Sequence, residues 1–147
     1  MSSVPVEKPK SEQNKKHRRM LTSSAKSKGR RLQYWTCQKI SEITGFPWGT
    51  SGQDKPIESR PMGQHGADVR MEDAVRAVFP FSVECKNQES WSIFQWIEQA
   101  KENCLAGTDW LLVLKKNKIP PVVVLDAECF FKLVQKAIKR EEKSEQA

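Results

Sequence analysis

The run Phe81-Ser82-Val83-Glu84-Cys85-Lys86 constrains this chain more than any other stretch, because it sets charged side chains inside an apolar strand pattern. In an extended strand successive side chains point to opposite faces. Phe81, Val83 and Cys85 then share one buried face, and Glu84 and Lys86 share the other. Upstream, Gly66-Ala67-Asp68-Val69 puts an aspartate in a second short apolar run. Pairing of the two runs as strands gathers two carboxylates and an ammonium at one place. A bare Glu-x-Lys is a weak signal, since on exposed strands it is usually a solvated ion pair. Its setting here, with Asp68 after a glycine on another strand, gives it weight.

The order of elements around these runs follows from periodicity. Residues 1 to 27 lack apolar periodicity and are rich in Lys, Ser, Glu and Pro, so they are expected to form a disordered basic arm. From Lys28 to Ile43, the residues Leu32, Trp35, Cys37, Ile40 and Ile43 follow a helical stripe, with Gly45 as its stop. A long Gly- and Pro-bearing loop over 45–66 comes next, of a length that is usually functional or mobile. Strands are expected at 67–71 and 79–86, joined by a hairpin connection with a helical turn. A helix capped by Ser90 or Ser92 then runs to about Cys104; Ser92 with Gln95 has capping-box spacing. Strands at 110–114 and 122–125 flank a polar turn from Lys115 to Pro121. Asp126 caps a final helix whose expected buried stripe is Phe130, Phe131, Val134, Ala137 and Ile138. The expected folded domain is 28–142, with a frayed tail at 143–147. This order describes a small α/β domain with a mixed sheet flanked by helices.

At 147 residues the chain is one domain plus tails. The net charge of +7 favours a polyanionic partner. Lys8, Lys10, Lys15, Lys16, Arg18, Arg19, Lys26, Lys28, Arg30 and Arg31 crowd the first segment against only Glu7 and Glu12. Such a run binds nucleic acid through phosphate without reading sequence. Cys37, Cys85, Cys104 and Cys129 are scattered without CxxC spacing, which argues against a zinc site or disulfide framework and for reduced thiols in a cytoplasmic protein. No apolar run reaches bilayer length, so no membrane partner is expected.

Phosphodiester hydrolysis needs an activated water, stabilisation of charge building on phosphorus, and help for the leaving oxygen. Mg²⁺ can supply all three, held by a few carboxylates with water and phosphate completing its shell; Mn²⁺ is a possible substitute. Asp68 and Glu84 are the expected ligands, with the Cys85 backbone carbonyl as a third oxygen. Lys86 would orient the attacking water or offset transition-state charge. Gln99, on the following helix, could bond a metal-bound water or Lys86, or simply be exposed. Gln64, His65 and Arg60 lie just upstream of Asp68 and could approach phosphate; a loop histidine is more often a polar surface residue. Trp48 could stack on a splayed base or anchor its loop on the core. Trp35, Trp96 and Trp110 fall in apolar stripes and are expected in the core. Lys115, Lys116 and Lys118 could add phosphate contacts, though a solvated turn explains them as well.

Asp68 with Glu84-x-Lys86 resembles the signature of the PD-(D/E)xK nuclease superfamily, and the small phage and archaeal-type Holliday junction resolvases within it. These also begin with a basic Lys-Gly before a helix, here Lys28-Gly29-Arg30-Arg31-Leu32, then a Ser/Gly loop, here Thr50-Ser51-Gly52, then the Asp and Glu-x-Lys strands and a helix Gln, here Gln99. Pro61 to Val69 with Val83 to Lys86 is also similar to small phage-encoded nucleases of this superfamily. The resemblance spans residues 28 to 130 and implies a restriction-endonuclease-like core, a Mg²⁺-dependent DNA endonuclease, four-way-junction DNA as substrate, and a homodimer in the cytoplasm, that of the host if phage-encoded. It implies DNA contacts from Lys28, Arg30, Arg31, Trp48, Ser51 and Arg60. The chain departs from the pattern at one point: the resolvases carry a glutamate five residues after the helix lysine, and this chain has Gln33. Gln33 itself, Glu58 or Glu42 would have to fill that place. The rival readings are a nuclease of the same fold for nicked, mismatched or end DNA, and a non-catalytic basic DNA-binding module.

Overall fold

Helix α1 (Lys10–Thr44) opens the structure, a computed structural model that describes the backbone from Lys10 to Ala147 and side chains from Ser23 onward. Residues 10–27 are therefore helical and not the unstructured arm expected; the stretch after Pro9 is rich in Lys and Arg, and holds no helix breaker before Gly29. The expected phosphate contacts of Lys8, Lys10, Lys15, Lys16, Arg18 and Arg19 concern side chains outside the described residues. Gly45 ends the helix in the left-handed region (φ +78°), and its N–H bonds back to the Ser41 carbonyl. The buried face of α1 is Leu32, Gln33, Thr36, Cys37 and Ile40, whereas Trp35 is 40% exposed and Ile43 71%. The stripe expected from apolar residues alone was thus rotated, because two polar side chains sit on the inward face.

Two three-stranded sheets follow. β1 (Trp48–Gly49) pairs parallel with β2 (Ile57–Ser59), which pairs antiparallel with β3 (Val69–Met71). The short helix α2 (Asp73–Val78) leads to β4 (Phe81–Asn87), which pairs parallel with β5 (Asp109–Lys116). β5 turns back antiparallel into β6 (Ile119–Leu125), with Lys118 in the left-handed region at the turn. The long loop expected over 45–66 gives way to two short strands within it. Likewise β3 and β4 are not a hairpin: they belong to different sheets, touching where the Asp68 N–H donates to the Val83 carbonyl (2.8 Å).

Helix α3 (Ile93–Glu102) crosses between β4 and β5, and α4 (Ala127–Glu145) ends the chain. Ser92 precedes α3 but makes no side-chain cap bond, so the capping box is not formed. Asp126 does cap α4, accepting from the Cys129 N–H. β5 carries apolar side chains on both faces, which together with the apolar face of β4 gives two cores. Phe81, Val83, Cys85 and Val113 pack with Leu32, Cys37 and Ile40 of α1; Leu112 and Leu114 pack under Trp96 and Ala100 of α3. β4 is covered on both sides, and the face carrying Ser82 and Glu84 is as buried as the apolar one. All four cysteines are free thiols, three of them buried.

Helix α4 departs most from expectation. Only Cys129 is buried; Phe130, Phe131, Val134 and Ile138 are 48%, 65%, 39% and 52% exposed. An amphipathic stripe reports that a helix has an apolar face, not that its own chain covers it. No described helix is long and apolar enough to cross a membrane.

Candidate active site

The edge of β4 builds the site. Asp68, just before β3, lays its backbone along that edge: its N–H donates to Val83, and its carbonyl accepts from Arg60 N–H (2.7 Å). Its side chain continues the ladder, Oδ2 accepting the next free β4 donor, Cys85 N–H, at 2.7 Å. The carboxylate thus takes the place of a strand carbonyl, which fixes its direction without a cation. Gly66 permits the preceding turn: its φ is +101°, and a Cβ there would lie 3.2 Å from the Arg60 guanidinium. That guanidinium is held by Nε donating to the Ala67 carbonyl (2.7 Å).

Glu84 points to the α3 side of β4, only 2% exposed, where Asn103 Nδ2 donates to its Oε1 (2.6 Å). Two residues on, Lys86 Nζ donates to Gln99 Oε1 (2.8 Å). Gln99 and Asn103 are four apart and project from the end of α3 toward successive same-face residues of β4. On the other side of β4, Cys85 Sγ meets Thr36 Oγ1 (3.5 Å), locking the strand to α1.

These side chains open on one cleft of about 450 Å³. Gln33, Gln64, His65, Asp68, Glu84, Cys85, Lys86 and Gln99 all line it. Gln33 is buried, 3% exposed, its Nε2 donating to Met62 Sδ (3.9 Å), and its amide works against the rise of the Asp68 carboxyl. It therefore occupies, from α1, a place at the carboxylate pair. Glu58 and Glu42 do not. Glu58 is engaged by Arg70 (3.2 Å) and the Lys55 N–H, and Glu42 pairs with Lys39 on the outer face of α1. Trp48 packs against the core and Tyr34, ring centroids 5.7 Å apart, so it anchors its loop. Asn103 and Glu102 also line the cleft and were missed in the sequence, where they fall at an expected helix end with no pattern to mark them.

Two further depressions flank this cleft. Lys28 and Arg31 line one with Lys115 and Lys118; Arg30, Ser51 and Arg60 line the other with Tyr34 and Gln33. The five polar or basic residues expected to contact DNA thus lie to either side of the carboxylates, as α1 turns its successive faces past them.

Burial raises Asp68 above the usual carboxylate range, against the opposing pull of the Cys85 N–H and Lys86. Glu84 is pushed up to about 7 by burial and by the Asp68 charge, with Asn103 and Lys86 opposing. Two buried carboxylates that resist being ionised together are a site short of positive charge. Among the described residues no three His, Cys, Asp or Glu side chains converge as a closed metal cage. The donor set, two carboxylates with amide oxygens around an open cleft, fits a hard dication that keeps part of its shell for water and phosphate.

The Asn103 bond yields a direct expectation. Asn103→Leu removes a donor that favours ionised Glu84, so the carboxyl rises further and the acidic limb of the pH–rate profile moves to higher pH. Loss of such a supporting contact reduces activity by roughly 10- to 100-fold. A fall in rate with no movement of the acidic limb would show that Asn103 does not act through Glu84.

No curated protein and no solved structure matches the chain. A family model described as "Phage putative PDDEXK endonuclease" matches residues 24–146, which include α1 from its second half, both sheets and α4. The chain belongs to this phage PDDEXK endonuclease family, and through it to the PD-(D/E)xK nuclease superfamily.

Proposed function

We propose that this protein is a Mg²⁺-dependent, structure-selective DNA endonuclease that acts at branched DNA, with the four-way junction as its leading substrate. The observation that carries the reading is the meeting of Asp68, Glu84 and Lys86 in one cleft between two basic depressions. Enzymes of the PDDEXK type generally use divalent metals, and nuclease membership implies DNA binding. Asp68 and Glu84 would hold the ion; Mn²⁺, similar in ligand preference, is the expected substitute. When bound, the cation supplies Lewis-acid polarisation of the phosphate and neutralises the carboxylate pair.

The chain's own groups do the rest. Lys86 spends one N–H on Gln99, which leaves two donors for a water or a phosphoryl oxygen. Held this way, its ammonium offsets negative charge as it builds on the phosphoryl group. Asn103 and the Cys85 N–H keep the two carboxylates aimed into the cleft. Gln33 supplies an amide where a third carboxylate would add charge, so the site depends more heavily on the two acids it has.

Resolution of a four-way junction requires two coordinated cuts, which a symmetric homodimer supplies. The uncovered apolar face of α4 is the surface we assign to that contact. A labelled four-way junction with Mg²⁺ or Mn²⁺ tests the reading, with cuts mapped on each strand beside flap, nicked, mismatched and plain duplex controls. Paired nicks symmetric about the branch are expected. Equal cutting of duplex or ends would move the enzyme to another substrate, and binding without cutting would make it a DNA-binding module.

A further inference from the structure

The depression on the Lys28 side differs from the carboxylate cleft in kind. It is a groove of about 410 Å³ between α1 and the β5–β6 turn, and it combines cations with an aromatic face. Lys28, Arg31, Lys115 and Lys118 line it, and among the described residues no acidic side chain does. Trp35 lies in it 40% exposed, with Lys39 Nζ 5.8 Å from its ring centroid. Arg31 and Lys118 form no ion pair among the described residues.

The groove joins the candidate active site at one residue. Asn87 lines both, and its Nδ2 donates to the Lys28 carbonyl (3.1 Å), which ties β4 to α1 at the boundary. Asn87, next to Lys86 in the chain, thus stands where the cleft and the basic groove meet.

We propose that this groove binds the DNA strand in unpaired form as it leaves the carboxylate cleft, with a splayed base stacked on Trp35 and its flanking phosphates held by Lys28, Arg31 and Lys118. Three observations separate this from ordinary duplex contact. Within a continuous duplex an indole face can stack only on a base withdrawn from the helix, because paired bases present their edges. The groove volume is that of a small-ligand pocket, which suits a nucleotide and not a double helix. The cations line the same short groove as the ring and do not form an extended track, so they suit the phosphates of one short segment. The inference rests on the nuclease reading only in taking DNA as the polyanion.

Binding of the full chain in EDTA, where metal-dependent cutting is blocked, tests it apart from catalysis. The probes are a blunt duplex and the same duplex bearing a short single-stranded tail with 2-aminopurine at its first unpaired position. The tail is expected to tighten binding about tenfold and to quench the 2-aminopurine. Trp35→Ala removes both effects and leaves blunt-duplex affinity unchanged, while Trp35→Phe retains most of each. Equal weakening toward both probes, or no loss for the tailed one, would overturn the proposal. A Trp35-dependent preference for the tail supports it even if Mg²⁺ then produces no cleavage, an outcome that would remove the nuclease reading alone.

Discussion

Glu84→Gln and Asp68→Asn are each expected to reduce cleavage by about 10³-fold or more while raising the melting temperature of the metal-free protein. The two effects share one cause. The native carboxylates are buried near each other; burial raises both above their ordinary range, and the Asp68 charge raises Glu84 further. Neutralising either relieves that opposition. Both amides also keep the structural bonds: Gln at 84 retains an acceptor for Asn103, and Asn at 68 retains one for the Cys85 N–H. For Glu84→Gln stability should rise by about 1–2 kcal/mol, after allowance for solvent reaching the open cleft, and Asp68→Asn should shift it in the same direction. That corresponds to roughly 5 °C in a domain of this size. The double variant should cut little worse than either single one, because the acids act as a unit. Cleavage of a labelled junction and a thermal melt in EDTA measure both. Undiminished cutting by both variants would put the chemistry elsewhere. Loss of cutting with a lowered melting temperature would mean damage to the fold.

Much of this site was legible because strand period and chemistry coincide in it. Phe81 to Lys86 alternates cleanly, so the common face of Glu84 and Lys86 follows from extended geometry alone, and the structure has β4 over that run. Asp68 was legible as a strand-start residue, but its means of attachment was not: a side chain standing in for a strand carbonyl has no sequence pattern. Helix α1 starts well before its apolar stripe does, because Lys, Gln and Arg are good helix formers that leave no apolar period to mark the start. Its inward face was misjudged because Gln33 and Thr36 are buried there. β1 and β2 have two and three residues, below the length at which periodicity can be seen. Glu58 was a reasonable candidate by charge and position, yet Arg70 pairs with it across β2 and β3. On α4 the stripe was real and its burial was not, since hydrophobic pattern fixes a face and leaves the cover to tertiary or quaternary contact.

The same carboxylate pair should make stability and metal binding run in opposite directions with pH. Glu84 has an ordinary value of 4.5 and is pushed up to about 7 in the folded protein. Between those values the folded state binds more protons than the unfolded one, so folding stability falls as pH rises. The favourable contribution is complete below 4.5 and is lost as pH passes through about 7. The unscreened shift would be worth about 3 kcal/mol at 1.36 per unit, and water in the open cleft reduces it to about 1–2. In EDTA the wild type should therefore melt several degrees lower at pH 8 than at pH 5, relative to Glu84→Gln, which lacks this titration. A divalent cation binds the ionised pair, so its binding releases protons and stabilises most where the metal-free protein is weakest. Adding Mg²⁺ at pH 8 should recover the lost stability in the wild type, do little at pH 5, and do little for Glu84→Gln at either. Cleavage should fall on the acid side of about pH 7 as Glu84 takes up its proton. A wild-type melting curve parallel to that of Glu84→Gln across this range, or equal Mg²⁺ stabilisation of both proteins, would show that the two buried acids are not a cation site.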